Sequence, residues 1–240
     1  MTPATRREIF ARLQAVNPAP RSELEYASPF QLLVAVMLSA QATDKSVNRA
    51  TVALFRDAPT PAAMLALGVA GLSPYIRSIG LYNTKARNVI ETCRILVERF
   101  AGEVPRDRES LESLPGVGRK TANVVLNVAY GEPTIAVDTH IFRVANRLGL
   151  AHGRTPLEVE ERLLAVVPEP FRLHAHHWLI LHGRYVCTAR VPGCPECRLN
   201  DLCEFEHKTP APGTAARVRR SASLRGSRKP AARRAARRAK

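Results

Sequence analysis

The sequence predicts an all-α protein, and three observations lead to this prediction. Apolar residues recur at helical spacing along most of the chain, as between residues 89 and 97. No run alternates apolar and polar residues as a half-buried strand would. The 13 Gly and 18 Pro residues interrupt the apolar pattern at short intervals, where turns are favoured. Many short helices around one core are therefore expected.

The predicted helices follow one another with short turns between them. In chain order they cover residues 5–16, 29–38, 45–54, 61–67, 70–79, 83–100, 108–114, 119–130, 139–148, 156–167 and 171–185. Breaks between them are marked by Gly80, Gly102, Pro105, Pro115, Gly131, Pro133, Gly153 and Pro168.

Composition limits the classes of protein to which the chain can belong. Its 240 residues suffice for one or two modest domains, and the 45% of hydrophobic residues suffice for a real core. The longest apolar stretches, residues 30–40 and 124–130, are too short to cross a bilayer as helices. Residues 1–14 are charged and lack the apolar segment of a secretory signal. A soluble cytoplasmic protein with no membrane partner is expected.

The positive charge is concentrated at one end of the chain. The net charge is +15, yet twelve of the 36 Lys and Arg residues, and none of the 21 acidic residues, lie in residues 208–240. The remaining residues therefore carry about +3. This Ala-, Pro- and Arg-rich tail lacks the apolar content to fold alone, so we expect it to be disordered. It is either a solubilising segment or a flexible arm that binds a polyanion, and the second interpretation is favoured.

Four of the five cysteines lie close together, as C-x6-C-x2-C-x5-C: Cys187, Cys194, Cys197 and Cys203. Disulfides need an oxidising compartment, which the absence of a secretory signal argues against. Structural zinc more often uses two close pairs separated by a longer insert. Four thiolates at short, uneven spacing favour an iron–sulfur cluster, with zinc as the alternative. The fifth cysteine, Cys93, falls in an apolar helical pattern and is expected to be a buried free thiol.

The segment from Leu111 to Ala122 has the pattern of a helix-hairpin-helix. Pro115 ends the first helix, and Gly116 and Gly118 permit unusual backbone angles without side-chain bulk. The unpaired N–H groups at the start of the second helix form a site for a phosphate. A tight turn between two helices is the simpler alternative, since glycines serve there too.

Lys120 falls in the first turn of the second hairpin helix. Asn123 and Asn127 follow on the same predicted face and are expected to support its amine. Lys120 either pairs with a phosphate or acts as a nucleophile that forms an imine. The second role requires an uncharged amine, which partial burial and the positive helix end favour.

Asp138 precedes a predicted helix and suits its N-cap. The same carboxylate is a candidate to stabilise positive charge or to accept a proton near the amine.

Three segments and the cysteines together resemble the bacterial endonuclease III family. They are LPGVGRKTANVVLN at residues 114–127, PTIAVDTHIFR at 133–143 and HHWLILHGRY at 176–185. The resemblance extends from about residue 6 to residue 206. It implies two helical domains on either side of a DNA-binding cleft. One is a six-helix barrel at 21–132 with the helix-hairpin-helix at about 108–130, and the other is an iron–sulfur cluster domain at 1–20 plus 133–207.

The resemblance also implies an activity: a bifunctional DNA glycosylase and AP lyase of base excision repair that acts on oxidised pyrimidines. Lys120 would be the nucleophile, Asp138 would assist it, and the four cysteines would bind a 4Fe–4S cluster. The partner would be double-stranded DNA containing an oxidised pyrimidine or an abasic site. A monomer associated with the nucleoid is expected.

DNA-binding residues are implied in the same way. Gln41 and Leu81 would fill the space left by the extruded nucleotide, and Asp44 and His140 are weaker candidates for the pocket. The hairpin would contribute Gly116, Val117, Gly118 and Arg119. Arg190 is the sole basic residue between the first two cluster cysteines, where family members often have more. Part of the missing phosphate affinity is therefore assigned to the tail.

Two other functions remain to be distinguished. An adenine-mismatch glycosylase resembles this chain in its hairpin, aspartate and cysteines but lacks a lysine at the position of Lys120. A redox-sensing DNA-binding module would need neither Lys120 nor Asp138. The histidines around Trp178 suggest a metal site at first sight, but in an apolar helix they are expected to be packing and hydrogen-bonding residues.

Overall fold

The computed structural model describes residues 1–211. We predicted that the basic tail is disordered. Residues 212–240 of this tail lie outside the described residues, so its disorder stays a prediction. The fold is all-α as predicted. Its helices are α1 Pro3–Val16, α2 Pro29–Ser39, α3 Asp44–Asp57, α4 Pro61–Ile76, α5 Tyr82–Arg99, α6 Arg108–Glu112, α7 Arg119–Tyr130, α8 Thr139–Leu148, α9 Pro156–Val166 and α10 Arg172–Tyr185. Two short 3-10 turns span Glu169–Phe171 and Cys194–Glu196.

The helix bounds differ from prediction mainly in α4. The two predicted helices at 61–67 and 70–79 form one element that ends at Ile76. Gly68, with φ 63° and ψ 177°, interrupts it, so the predicted break survives as a kink. The first hairpin helix, α6, ends at Glu112, before Pro115, because Ser113 and Leu114 already belong to the turn.

Residues 1–211 form two hydrophobic cores, where the apolar pattern alone led us to expect one. Helices α2 to α7 surround the first core. Its central element is α2, in which every residue from Phe30 to Leu38 is buried. Burial on all sides explains why this helix is apolar nearly throughout instead of on one face.

The second core joins the start of the chain to its later part. Phe10 of α1 stacks on Phe171 at 5.9 Å between ring centroids and lies 6.4 Å from Trp178 of α10. Trp178 Nε1 donates to Asn17 O at 2.8 Å, which fixes the end of α1. Helices α8 and α9 complete this core. Local periodicity does not reveal such a pairing, because the partners are more than 150 residues apart.

The cysteine segment packs on the second core, and its contacts continue past residue 207. Lys208 Nζ donates to Asn200 O at 2.6 Å. Thr209 Oγ1 donates to Pro192 O at 2.5 Å and accepts from Cys194 N at 3.3 Å. These residues therefore belong structurally with the cysteine segment. Within residues 1–211, no helix is both long and apolar enough to span a membrane.

Candidate active site and nucleic-acid interface

A cleft of about 1040 Å³ lies between the two cores. Its walls include Gln41 and Asp44 from the first core, together with Lys120, Asp138 and His140. Residues that are far apart in the sequence are thus brought to one concave surface. A pocket of this kind with converging charged groups is the usual form of an active site.

Lys120 extends into this cleft from the first turn of α7. Its Nζ lies 3.9 Å from Asp138 Oδ2, and its side chain is 57% exposed. The partial burial predicted for this amine is therefore wrong for the free protein, because the cleft is open above it. Any desolvation of the amine has to come from a bound ligand.

Asp138 holds a fixed position at the start of α8. Its Oδ1 accepts from His140 N and from Ile141 N, both at 2.8 Å, so the predicted N-cap is confirmed. Oδ2 takes no part in the cap and is directed toward Lys120. Only 10% of the side chain is exposed. The carboxylate is therefore both immobilised and close to the amine.

Asn123 and Asn127 do not support the Lys120 amine, contrary to expectation. Both are buried, and Asn127 Nδ2 donates to Glu132 O at 2.9 Å and to Leu173 O at 3.0 Å. Asn123 Nδ2 donates to Ile135 O at 3.4 Å, and the backbone O of Asn123 accepts from Thr134 Oγ1 at 2.6 Å. These bonds fix α7 to the segment that leads to Asp138. The asparagines thereby set the distance between the two charged groups without touching either.

Glycine is favoured at the two hairpin positions for different structural reasons. Gly116 has φ +79°, and a Cβ there would lie 2.7 Å from Asn88 Nδ2. Gly118 has φ −99°, so it does not need the positive φ that we had allowed for it. No protein atom lies within 4 Å of where its Cβ would be. Gly118 thus leaves open space at the N-terminus of α7, where an anion is favoured.

The side chains of the two other predicted hairpin residues already have partners within the protein. Val117 is buried in the first core. The Arg119 guanidinium pairs with the buried carboxylate of Glu160 in α9, with Nη2 and Oε1 2.9 Å apart. This ion pair links the two cores, and Glu160 raises the pKa of Arg119 through their hydrogen bond. The Val117 N–H donates to Leu114 O at 3.0 Å, so of these two residues only Arg119 has a backbone N–H left for a phosphate.

Gln41 and Leu81 are both exposed on left-handed backbone, with φ 57° and φ 60°. The side chain of Gln41 lines the cleft, whereas Leu81 lies outside the cleft lining and is 63% exposed.

One cluster of charged residues was missed by the sequence reasoning. Arg184 Nη1 donates to Asp44 Oδ2 at 2.6 Å and also contacts Glu23, which accepts from the Tyr185 hydroxyl. Asp44 and Glu23 precede or begin helices of the first core, while Arg184 ends α10. The cluster spans the cleft, and no spacing rule connects residues so distant in sequence.

The four clustered cysteines line one small cavity, together with Arg147 and His182. Burial raises the pKa of the Cys197 and Cys203 thiols. Metal binding would require these thiols as thiolates. Within the described residues, no group of three or more His, Cys, Asp or Glu side chains is arranged to hold a metal ion.

Side chains around this cavity orient the cysteine segment. Arg147 Nη1 lies 3.5 Å from Cys187 Sγ and donates to Thr188 O at 2.8 Å. The Arg147 guanidinium also lies over the ring of Phe205, 4.6 Å from its centroid. His182 Nε2 lies 3.8 Å from Cys197 Sγ. Arg190 is exposed on the loop between the first two cysteines.

Comparison with known proteins identifies the relatives of this arrangement. Residues 34–169 match the HhH-GPD superfamily of base excision DNA repair proteins. The chain is 62% identical over 208 residues to endonuclease III of Escherichia coli (strain K12), covering 87% of this chain and 99% of that protein. It is 64% identical over 195 residues to endonuclease III of Treponema pallidum (strain Nichols), covering 81% and 92%. The chain belongs to the endonuclease III family.

Solved structures of endonuclease III share the fold as well as the sequence. A trapped endonuclease III–DNA covalent intermediate matches with a TM-score of 0.80 and 46% identity, covering 85% of this chain and 96% of that one. A non-covalent endonuclease III–DNA complex matches to the same extent. A thermostable thymine-DNA glycosylase, at 22% identity and a TM-score of 0.72, shares the fold. Two helical domains flanking a cleft are thus the architecture of this family member.

Proposed function

We propose that this protein is a bifunctional DNA glycosylase and AP lyase of base excision repair. It removes oxidised pyrimidines from double-stranded DNA and then cleaves the abasic site by β-elimination. The observation that carries this proposal is the 3.9 Å separation of the Lys120 amine and the fixed Asp138 carboxylate inside an open cleft. Relatives at 62% and 64% identity are named endonuclease III, and one similar structure is a covalent intermediate with DNA.

The chemistry assigned to Lys120 begins with attack of its uncharged amine on C1′ of the damaged nucleotide. The C1′–N bond to the base breaks, and the base leaves with the bonding electrons and takes up a proton. Loss of the amine proton and opening of the sugar ring give a Schiff base between Nζ and C1′. That imine acidifies the C2′ hydrogen, and its removal expels the 3′ phosphate.

Asp138 is assigned the electrostatic part of the reaction. Its carboxylate stabilises the positive charge that develops on the sugar and accepts the proton that the amine loses. The N-cap bonds of Oδ1 keep the carboxylate from rotating away, so Oδ2 stays directed at the site. Because the Lys120 side chain is 57% exposed, bound DNA supplies the desolvation of the amine.

DNA is held mainly through its backbone in this proposal. One phosphate occupies the open space beside Gly118 and accepts hydrogen bonds from the N–H groups of residues 118 to 120 at the start of α7. Gln41 and Leu81 enter the stack vacated by the extruded nucleotide. Arg190 contacts a neighbouring phosphate, and the basic residues of 208–240 add affinity that ignores sequence. All the groups come from one chain, so a monomer suffices, and its substrate places it at the nucleoid.

Cys187, Cys194, Cys197 and Cys203 are proposed to bind a 4Fe–4S cluster. The four thiols line one cavity, and their short, uneven spacing in the sequence favours a cluster over one zinc ion. When bound, the cluster supplies a fourfold cross-link of the segment from 187 to 203. The reaction assigned to Lys120 transfers no electrons, so this role is structural.

Borohydride reduction during reaction with abasic DNA tests the proposal. We expect a covalent protein–DNA adduct whose cross-link maps to Lys120 and which is lost in Lys120→Ala. An adduct on another residue, or none, would contradict it. A mismatch glycosylase without lyase activity and a DNA-binding redox module both predict that no adduct forms.

A further inference from the structure

Two exposed side chains near the cleft share an unusual backbone. Gln41 and Leu81 are two of the three non-glycine residues with positive φ in residues 1–211, the third being Ala101. This conformation is unfavourable for any side chain with a Cβ, and it persists only where the surrounding structure enforces it. Something in the protein must therefore hold both segments.

Lys85 contacts both segments at once. Its Nζ donates to Ala40 O at 2.6 Å and to Leu38 O at 2.9 Å, directly before Gln41. Its backbone N–H donates to Leu81 O at 3.0 Å. One residue thus joins the backbone beside Gln41 to the backbone of Leu81.

The Lys85 ammonium is buried in an unusual setting. The residue is 8% exposed, and no carboxylate within residues 1–211 forms an ion pair with it. Its partners are carbonyl groups at the C-terminal end of α2, where helical carbonyls lack N–H partners and the helix dipole is negative. Burial lowers the pKa of Lys85. Burying the Lys85 ammonium costs free energy of desolvation, and its bonds to the two carbonyls offset this cost. This arrangement indicates that Lys85 serves to hold the two segments in position.

We propose that Lys85 is a positioning residue that holds Gln41 and Leu81 in a fixed relation, so that both enter the duplex together when the target nucleotide is extruded. This inference rests on the proposed function. It predicts that Lys85 matters for extrusion and not for the chemistry at Lys120, which lies on another helix.

The test separates extrusion from chemistry with two substrates. Duplex DNA with an oxidised pyrimidine requires extrusion, whereas an abasic site in a single strand does not. Lys85→Met removes the charge but retains the length of the side chain. Tyr130→Phe is the matched control, since it deletes another bond from a side chain to a backbone carbonyl in the first core, Tyr130 Oη to Val104 O at 2.7 Å. A 2-aminopurine beside the lesion reports extrusion by its fluorescence.

We expect Lys85→Met to slow excision from the duplex by about tenfold or more, as small misplacements do, and to suppress the 2-aminopurine signal. Cleavage of the single-stranded site should stay within about twofold, and Tyr130→Phe should change neither. In a Gln41→Ala background, Lys85→Met should add little, because its effect acts through that segment. Equal losses on both substrates, or full additivity with Gln41→Ala, would overturn the inference.

Two further results complete the test. Lys85→Arg keeps donors for both carbonyls, and we expect it to retain the fluorescence signal even if Lys85→Met does not fold; loss of the signal in well-folded Lys85→Arg counts against the inference. If the unsubstituted protein gives no borohydride adduct with abasic duplex DNA, the proposed function itself fails, and this inference fails with it.

Discussion

Lys120 and Asp138 face each other from helices that belong to different hydrophobic cores, with Nζ and Oδ2 3.9 Å apart. The amine is carried by α7 of the first core, and the carboxylate caps α8 of the second. The bonds of Asn123 and Asn127 to the segment between them hold the two helices together. The proposed chemistry therefore depends on how the cores are joined as much as on either residue.

The two roles of Asp138 can be separated by substitution. Asn also caps helices well, so Asp138→Asn should keep the free energy of unfolding within about 0.5 kcal/mol. It removes the negative charge, and turnover should fall by about 10²- to 10⁴-fold. Asp138→Ala should lose turnover and about 1 kcal/mol of stability. Urea unfolding and single-turnover excision measure the two effects, and an active Asp138→Asn variant would exclude the proposed role.

Substitutions of the two hairpin glycines should have opposite effects on stability and on DNA binding. Gly116→Ala places a Cβ at positive φ and against Asn88, and it should destabilise the fold by about 1–2 kcal/mol. Gly118→Ala meets no protein atom and should leave stability unchanged. It should instead obstruct a phosphate. Loss of one bond to a charged group, worth about 1.5–3 kcal/mol, weakens binding by about tenfold or more. Fluorescence anisotropy with duplex DNA measures this loss, and unchanged affinity would exclude the phosphate site.

The cluster proposal is tested by comparing two cysteines. Cys197→Ser replaces a proposed ligand, and we expect iron well below about four atoms per chain, weak visible absorbance and lower stability. Turnover per folded, loaded molecule should fall less than the yield of such molecules. Cys93→Ala is the control, because Cys93 is buried away from the cavity and burial raises its pKa to about 12. Zinc in place of iron in the purified protein would contradict the proposal.

Buried histidines predict that stability decreases in mild acid. Burial lowers the pKa of His176 to about 3 and of His177 to about 4, from an ordinary value of 6.5. Between about pH 4 and 6.5 the unfolded chain binds protons at these sites and the folded protein does not. Stability should therefore fall as pH falls through this window, by about 1.4 kcal/mol per pH unit for each group.

The matched pair for this pH prediction is His177→Gln and His207→Gln. Replacing buried His177 removes one site at which a proton binds on unfolding. The slope of unfolding free energy against pH should therefore decrease by about 1.4 kcal/mol per pH unit. His207 is exposed, and its replacement should leave the slope unchanged. Equal slopes in both variants would show that His177 does not contribute.

Truncation tests the basic tail. A chain that ends at Ala211 keeps the bonds of Lys208 and Thr209 but loses eleven Lys and Arg residues. We expect weaker duplex binding, with the slope of log affinity against log salt reduced by about 0.9 for each phosphate that the tail neutralises. Titrations at several salt concentrations measure the slope. The same slope in both chains would rule out phosphate contacts by the tail.

Features fixed by short-range sequence were predictable. The Asp138 cap and the start of α7 at Arg119 depend on neighbouring residues, so the pattern alone located them. The partners Leu173 of Asn127 and Glu160 of Arg119 were not predictable, because they reach these side chains only after the two cores assemble. Placing the asparagines beside Lys120 was wrong because a shared helical face does not determine which side is buried.

The site shows the same division. The hairpin and the cysteines were predictable from their sequence spacing. The family resemblance supplied the predicted roles of Lys120, Asp138, Gln41 and Leu81. The exposure of Lys120, the Arg184 cluster and the buried Lys85 depend on the shape of the cleft and on contacts between distant helices. Periodicity contains no information on such contacts, so these features required the structure.

The pairing of α1 with the late part of the chain has a consequence for biosynthesis. The ribosome delivers α1 first, but its partners Phe171 and Trp178 emerge only after the whole of the first core. The segment from α2 to α7 has all its core residues available once residue 130 has left the exit tunnel, and domains fold as units during synthesis. Helix α1 therefore remains unpacked while the first core folds. A bulky fusion partner at the amino terminus should accordingly impair packing of the second core, and with it iron loading, before it impairs folding of the hairpin.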